Sequence, residues 1–245
     1  MRNKISVITV VFNDVTHIRE TMESFFSQTW EDKEYIVIDG GSTDGTADIV
    51  RSYANRLAYW CSETDNGIYD AMNKGISHAT GDWINILNSG DTFVDELVME
   101  RCMELSKGIE ADVLYGDSQE RCNGRSRHIE AYANPGIMEL VPAYRHGSSF
   151  VKAEIHKDNK FDLSKRTQLE YALDWELIHR LYKQGFRFRK LDLEIQSYQK
   201  EGVSDNYIRS YWYNYKITSD GRFNMRKFLH FLRITSQTSI KRLIH

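Results

Sequence analysis

A carboxylate in a polar turn follows a short apolar segment near the middle of the chain. The segment Trp83–Leu87 is apolar except at Asn85, and the turn after it reads Asn88-Ser89-Gly90-Asp91. Such a run is typical of a strand that is covered on both faces. Ligands of open α/β sheets bind at the carboxyl ends of the strands, and Gly90 lets the backbone turn tightly beside a ligand. We therefore predict that Asp91 lies where a metal-bound phosphate binds.

Further carboxylates follow other strand-like runs or begin a helix. Asp39 follows the run Tyr35–Ile38, and Asp65 and Asp174 lie further along the chain. Asp39 could accept hydrogen bonds from a nucleotide base or ribose, or it could cap the turn that follows it; the sequence leaves both open. The first strand-like run ends in Phe12-Asn13-Asp14 rather than in G-x-G-x-x-G. This argues against a dinucleotide-binding Rossmann enzyme.

The elements that must position these residues alternate between strand and helix. The predicted strands of the first part are Ile5–Val11, Tyr35–Ile38, Leu57–Ser62 and Trp83–Leu87, and the predicted helices are Val15–Gln28, Thr46–Tyr53 and Tyr69–Ala79. Later predictions are the helices Val98–Leu105 and Leu169–Tyr182 and the strands Val113–Asp117, Ser148–Val151, Phe186–Leu193 and Ile195–Tyr198. The alternation predicts an α/β fold with a mostly parallel central sheet, right-handed crossovers and flanking helices. The stretch Cys122–Ala143 is weakly patterned, and no linker separates two domains.

Composition excludes several classes of protein. The 245 residues suffice for one sizeable core, and a net charge of −3 gives no case for a nucleic-acid binder. Three widely spaced cysteines match no zinc or disulfide pattern, so we expect a reducing, cytoplasmic compartment. The N-terminal apolar run is too short for a secretion signal, and no stretch is apolar enough to span a membrane.

Several motifs, taken together and in order, resemble the family 2 glycosyltransferases of GT-A fold. Those of the first half are Ile5–Asn13, Val37–Thr46 and Ser62–Gly75, followed by Leu87–Asp91, which resembles the metal-binding D-x-D region of the family. His146–Phe150 and Leu173–Leu177 resemble the acceptor-side strand and the catalytic-base helix, and Glu201–Ser204 resembles a loop near the donor. The resemblance runs from about Ile5 to Ser204 and is greatest to bacterial enzymes of capsule, lipopolysaccharide or exopolysaccharide synthesis.

The resemblance implies a role for each matching residue. Residues near the nucleotide-sugar donor would be Thr9, Phe12, Asn13, Asp39, Asp65, Asn73, Lys74, Ser89 and Gly90. Asp91 would bind Mg²⁺ or Mn²⁺ bridging the donor diphosphate, and Asp174 would be the general base. His146, Trp175 and Ser204 would contact the acceptor or a phosphate, although His146 and Trp175 could equally be core residues. Asn88 and Gly90 replace carboxylates that relatives often carry, but Mg²⁺ commonly binds through one or two carboxylates plus substrate phosphates.

The resemblance also divides the chain. Residues 1–204 would form the GT-A domain, with a nucleotide-sugar-binding half at 1–117 and an acceptor-side half at 118–204, and residues 205–245 would form a helical basic and aromatic tail. Gly221–His245 contains six Lys or Arg residues and no Asp or Glu. A basic amphipathic helix can lie on an anionic membrane surface, or the tail could pack on the protein body or on a second subunit. Lipid-linked acceptors in the family favour a peripheral position on the inner face of the membrane.

The implied function is inverting transfer of a sugar from a nucleotide diphosphate, such as a UDP-sugar, to a saccharide or lipid-linked saccharide in bacterial surface polysaccharide synthesis. One alternative is a degenerate glycosyltransferase that acts as a nucleotide- or partner-binding module. A sugar-phosphate nucleotidyltransferase shares the sheet plan, but it would need a Gly- and Arg-rich loop where this chain has Phe12-Asn13-Asp14.

Overall fold

The computed structural model describes residues 3–122, 124–200 and 207–244. Its strands are β1 (Ile5–Val11), β2 (Lys33–Asp39), β3 (Tyr59–Ser62), β4 (Trp83–Ile86), β5 (Thr92–Phe93), β6 (Val113–Cys122), β7 (Arg125–Ile129), β8 (Ser149–Lys152) and β9 (Phe188–Gln199). Its helices are α1 (Ile18–Phe26), α2 (Thr46–Ser52), α3 (Ile68–His78), α4 (Val98–Leu105), α5 (Ala153–Asp158), α6 (Arg166–Leu169), α7 (Leu173–Lys183), α8 (Tyr207–Thr218) and α9 (Met225–Ile244).

One sheet in the order β3-β2-β1-β4-β8-β6-β9-β5 runs through the molecule, and β7 pairs with β6. The first four strands are parallel, as the alternation predicted, and Ile8 lies opposite both Ile36 and Ile86. Beyond β4 the sheet is mixed, because β8 is antiparallel to both of its neighbours while β6 and β9 are parallel. The parallel half sets the carboxyl ends of β1, β2 and β4 side by side.

Apolar side chains cover both faces of this sheet. On one face, even-numbered residues of β1 pack with α3, α5 and α7; on the other, odd-numbered residues pack with α1 and α4. Helix α3 lies very close to the sheet at Gly75, where a Cβ atom would be 2.4 Å from Cγ2 of Ile8. This close approach places the start of α3 beside the carboxyl ends of the strands.

Three elements differ from their predictions. The predicted helix Leu169–Tyr182 corresponds to α7, which begins only at Leu173; Leu169 ends the short α6, and Glu170 after it adopts φ +47°. The two strands predicted over 186–198 are one long strand, β9. The weakly patterned stretch after Cys122 contains β7, whose side chains are mostly exposed and therefore show no alternation.

The C-terminal segment is helical, as predicted, and packs on the body through α8. Helix α9 contacts α8 through aromatic pairs, Trp212 with Phe231 and Tyr215 with Phe228, both with ring centroids 5.6 Å apart. Leu229 on α9 is 56% exposed. Among the residues that the structure describes, no helix is both long and apolar enough to cross a membrane.

Candidate functional site

A cleft of about 520 Å³ opens at the carboxyl ends of β1, β2 and β4. This volume lies within the range of small-molecule sites. Its walls come from the ends of these strands, the loop after β3 and the start of α3. The lining residues are Val10, Val11, Phe12, Asp14, Gly40, Thr64, Asp65, Gly67, Ile68, Ala71, Asn88 and Ser89.

Phe12, Asp65 and Ser89 lie in the cleft wall, where the sequence placed donor-binding residues. Phe12 is 64% exposed, so its ring is free to stack on a planar ligand. Oδ1 of Asp65 accepts a hydrogen bond of 2.7 Å from the Gly67 amide. Oδ2 of Asp65 faces Gly40, where a Cβ atom would come within 2.8 Å of it. The absence of a side chain at position 40 therefore keeps this carboxylate accessible.

Asp39 and Asn13 hold the loop that carries Gly40. The buried Asp39 carboxylate accepts hydrogen bonds from the Ser42 amide at 3.1 Å and from the hydroxyls of Ser42 and Ser62. Oδ1 of Asn13 accepts from the Thr43 amide at 2.9 Å. Of the two alternatives for Asp39, the structure shows the turn-capping contacts, and its contact with a nucleotide stays a prediction.

Thr9, Asn73 and Lys74 are not among the residues that line the cleft, and their contacts with a donor stay a prediction. Thr9 is fully buried, and its hydroxyl donates to the Leu87 carbonyl at 2.7 Å and bonds to the Tyr35 hydroxyl. Both amide atoms of Asn73 bond to the backbone of Phe161 at 2.9 Å. Nζ of Lys74 lies 3.0 Å from Glu63. These polar groups already have protein partners, and the contacts observed for them join neighbouring elements of the fold.

The turn after β4 brings together two oxygen-bearing side chains. Oδ2 of the partly buried Asp91 accepts a 2.6 Å hydrogen bond from Nε2 of Gln196 in β9. Burial raises the pKa of Asp91 to about 7, although the charges of Arg145 and Arg121 and the Gln196 hydrogen bond act to lower it. In the described part of the chain, the buried Oδ1 of Asn88 has no hydrogen-bond partner. Gly90 makes the turn with φ +89°, and its amide donates to Thr21.

These oxygens suit a hard cation that also binds the substrate. No group of three His, Cys, Asp or Glu residues that could hold a metal occurs within residues 3–122, 124–200 and 207–244. A cage made of protein ligands alone is therefore not formed by these residues. One carboxylate and one carbonyl oxygen match Mg²⁺ or Mn²⁺ when substrate phosphates complete the coordination. Asp91 and Asn88 thus fit the predicted cofactor.

Arg145 is a site residue that the sequence did not reveal. Its exposed side chain places the guanidinium 3.5 Å from the centroid of the Tyr198 ring. Its charge lowers the pKa of both Asp91 and Asp174 against the larger effect of burial. Within the described residues, no carboxylate forms an ion pair with it. The segment that carries Arg145 packs closely against β9 at Gly147, where a Cβ atom would lie 2.3 Å from Nε2 of Gln196. Arg145 therefore presents a positive charge that has no ion-pair partner within the described residues and that acts on both acids.

Asp174 lies in the first turn of α7. Its Oδ1 accepts hydrogen bonds from the Trp175 amide at 2.8 Å and from the Tyr69 hydroxyl at 3.5 Å. Burial raises the pKa of Asp174, although the Trp175 amide and the charge of Arg145 oppose this rise. Tyr69 follows Ile68, which lines the cleft, and so connects the cleft wall to Asp174. A carboxylate with a raised pKa is suited to accept a proton.

The three residues assigned to the acceptor have different positions. Trp175 is 4% exposed and packs edge-on against His179, as a core residue does, and its contact with an acceptor stays a prediction. His146 lies among aromatic rings, 5.6 Å from Phe161, and burial lowers its pKa to about 4. A neutral imidazole in these surroundings does not supply a positive charge for a phosphate. Ser204, with the rest of Glu201–Ser204, lies outside the described residues.

Comparison with known proteins gives matches over most of the chain. Residues 6–145 match the Glycosyl transferase family 2. An uncharacterized glycosyltransferase of Mycobacterium tuberculosis is 39% identical over 125 residues, which cover 50% of this chain and 48% of the relative. A putative glycosyltransferase of Bacillus subtilis, EpsE, is 28% identical over 192 residues, covering 75% of this chain and 68% of EpsE. The chain spans about half the length of the first of these curated relatives.

Two solved structures have a similar fold. Staphylococcus aureus TarS, residues 1–349 with UDP-GlcNAc, aligns with a TM-score of 0.69 at 20% identity, over 89% of this chain and 66% of that one. Mannosyltransferase PcManGT from Pyrobaculum calidifontis, with GDP-Man and Mn²⁺, aligns with a TM-score of 0.67 at 17% identity, over 95% and 69% of the two chains. The GT-A fold predicted from the sequence is thereby confirmed.

Proposed function

Because the chain belongs to glycosyl transferase family 2, we propose that it transfers a sugar, with inversion, from a nucleoside-diphosphate donor to a saccharide or lipid-linked saccharide. The observation that carries the proposal is the cleft of about 520 Å³ at the strand ends, lined by Asn88 and Ser89 of the Asp91 turn, together with the charge of Arg145, which acts on both Asp91 and Asp174. The printed descriptions of TarS with UDP-GlcNAc and of PcManGT with GDP-Man support a nucleotide-sugar donor. We favour a UDP-sugar.

The cleft would hold the nucleoside part of the donor. Phe12 offers an exposed ring for stacking, and Asp65 offers a carboxylate for hydroxyl or ring N–H groups. Asp39 and Asn13 keep the loop around Gly40 in place, so that the wall is formed before the donor arrives. Preorganised walls reduce the ordering cost of binding.

Asp91 and Asn88 would hold Mg²⁺ or Mn²⁺ at the end of the cleft. When bound, the cation neutralises charge that develops on the departing diphosphate. Asp91 must be ionised to act as a ligand, and its pKa of about 7 means that the apoprotein carries a mixture of both forms near neutrality. Arg145 and Arg121 favour the ionised form.

Arg145 would supply a second positive charge to the same diphosphate. A guanidinium presents several N–H donors in one plane and remains charged at all relevant pH values. Its stacking on Tyr198 fixes the plane without using those donors. An Arg that is neutralised by no ion pair among the described residues is available for an anionic ligand.

Asp174 would remove the proton from the acceptor hydroxyl. Its hydrogen bond from Tyr69, the neighbour of the cleft residue Ile68, supports a position near the sugar, and we propose that it acts on the face opposite the diphosphate. Base and leaving group on opposite faces produce a single displacement, and therefore inversion. Burial raises the pKa of Asp174, and a raised pKa makes its carboxylate a stronger base.

Donor binding tests this proposal directly. A thermal-shift screen of UDP- and GDP-sugars with Mn²⁺ should find a donor that raises the melting temperature, because it binds only the folded state. Asp91→Ala should abolish the metal-dependent part of this shift. Asp95→Ala should not, because Asp95 pairs with Arg101 outside the cleft. Equal affinity with and without chelator, in wild type and Asp91→Ala alike, would contradict the metal site.

Asn88 and Gly90 stand where relatives often carry carboxylates, and this supports a second candidate function. A degenerate glycosyltransferase would bind the nucleotide or a partner without turnover. Measurement of donor hydrolysis separates the two functions, since a binding module would give a thermal shift but release no UDP or GDP. The intact Asp91 and Asp174 favour the enzyme.

A further inference from the structure

A second cavity, of about 710 Å³, lies between α7 and the segment that joins α8 to α9. It shares no lining residue with the 520 Å³ cleft at the strand ends. Neither the donor nor the base at Asp174 accounts for it. We call it the α7–α8 cavity, and the residues that carry the argument are Glu176, His179, Trp212, Tyr215, Lys216 and Arg222.

One wall of the α7–α8 cavity is aromatic. The rings of Trp212 and Tyr215 stack with centroids 5.4 Å apart and an interplanar angle of 29°. Phe223 also lines the cavity and is 69% exposed, which places it at the rim. Walls of this kind favour a ligand with an apolar portion.

The charged residues that line the α7–α8 cavity give it an excess of positive charge. Five Lys or Arg residues line the cavity, against two acids. Glu176 pairs with Lys165 and Arg180, at 2.6 and 3.3 Å, and Lys183 pairs with Glu139. Lys216 and Arg222 have no salt bridge to any carboxylate within the part of the chain that the structure describes. Nζ of Lys216 lies 6.0 Å from the Trp212 ring centroid, so this charge borders the aromatic wall.

A buried polar atom on the wall also lacks a partner. His179 lines the cavity and is 3% exposed, and its Nε2 makes no hydrogen bond to any described residue. A buried polar nitrogen is normally paired. The histidine packs edge-on against Trp175, which fixes the direction of its ring. This is the feature expected of a side chain that completes its hydrogen bonding with a ligand.

We propose that the α7–α8 cavity binds an anionic amphiphile, namely a phosphate monoester with an apolar chain. Lys216 and Arg222 contact the phosphate, the Trp212–Tyr215 pair contacts the chain, and His179 hydrogen-bonds a ligand oxygen. The ligand is either a free molecule or a head group within a membrane. Because the cavity is separate from the cleft, this inference does not depend on the proposed transfer reaction.

Calorimetry with the full chain and dodecyl phosphate below its micelle concentration tests the proposal. We expect saturable binding of one molecule per chain, and at least tenfold weaker binding of inorganic phosphate and of dodecyl maltoside. Lys216→Gln/Arg222→Gln should weaken binding of dodecyl phosphate at least tenfold. The matched control Arg226→Gln/Arg233→Gln removes two exposed charges of α9 outside the cavity and should leave binding unchanged.

Three results would overturn the proposal: no saturable binding, equal binding of inorganic phosphate, or equal weakening by the two double variants. His179→Gln gives an independent check, since it should weaken dodecyl phosphate while leaving nucleotide-sugar binding unchanged. Phosphatidylcholine vesicles doped with dodecyl phosphate identify the source of the ligand. Recruitment of wild type but not of Lys216→Gln/Arg222→Gln supports a head group, and binding of the monomer without recruitment supports a free molecule.

Discussion

Asp174→Asn should remove the general base while leaving the protein folded and the donor bound. The hydrogen bond from the Trp175 amide goes to Oδ1, which an asparagine can keep. Burial disfavours the charged form of Asp174, so a neutral amide should leave the free energy of unfolding at pH 7 unchanged or increased. The donor cleft has no lining atom from Asp174, so donor affinity should be preserved.

The loss should appear in turnover. General-base catalysis contributes roughly 10²–10⁴-fold, or about 3 to 5 kcal/mol of transition-state stabilisation. In the wild type, transfer requires ionised Asp174, so activity should fall as the pH decreases through its pKa. Because that pKa is raised, the fall should begin at a higher pH than for an ordinary aspartate. The variant should lose the part of the acidic limb that comes from Asp174, whereas the part that comes from Asp91, whose pKa is about 7, should remain.

Transfer is measured by product formation with donor saturating, and donor binding by thermal shift. Glu176→Gln is the matched control, because it changes the same chemical group on the same helix. It leaves Lys165 and Arg180 without their shared acid and should lower stability by about 1–3 kcal/mol, with turnover near that of wild type. Near-normal transfer by Asp174→Asn, or a product that retains the donor anomer, would refute the reasoning. Retention is the more damaging result, since it removes the single displacement.

Three further perturbations test other parts of the molecule. Arg145→Gln should lower kcat by about 10²–10³-fold, as loss of a preorganised donor does; unchanged turnover in product assays would contradict its role. Arg226→Glu/Arg233→Glu should weaken co-sedimentation with anionic vesicles at low salt, since each exposed base near such a surface contributes about 1 kcal/mol; a wild type that ignores these vesicles shows that α9 is only a packing element. Burial raises the pKa of Glu34, but hydrogen bonds from Lys4, Ser6 and Thr80 outweigh it and set the pKa at about 2. Glu34→Gln should therefore cost about 3 kcal/mol of unfolding free energy at pH 7, and denaturant titrations should show the difference shrinking as pH falls from 4.5 towards 2.

The parallel half of the fold was predictable because its signal is local. β1 is rich in β-branched residues, β2 contains the apolar run Tyr35–Ile38, and each strand is followed by a polar turn that marks its carboxyl end. The mixed half was less predictable. Both faces of β7 are exposed, so its residues show no alternation of apolar and polar types. The break between α6 and α7 occurs at Glu170, which has a positive φ although it is neither Gly nor preceded by a Pro that would predict a turn.

The candidate site was predictable to the extent that its residues follow strands in sequence. Phe12, Asp65 and Ser89 lie in the cleft for that reason. Thr9 also lies on a predicted strand, but its hydroxyl is hydrogen-bonded to the Tyr35 hydroxyl and the Leu87 carbonyl. These partners are distant in the sequence, so the bonds could not be predicted from it. Arg145 was missed because its position depends on Tyr198, which lies in a strand that follows much later in the chain.

The hydrogen bond between Gln196 and Asp91 has a consequence for the order in which parts of the protein can fold during synthesis. Asp91 emerges from the ribosome long before Gln196, and β5, which follows it directly, pairs with β9. A nascent chain that ends after the family-matching residues 6–145 therefore contains the acidic turn but not the strand that orients it. The residues that line the cleft at the strand ends are all made before β9, whereas Asp91 gains its Gln196 partner only when β9 joins the sheet.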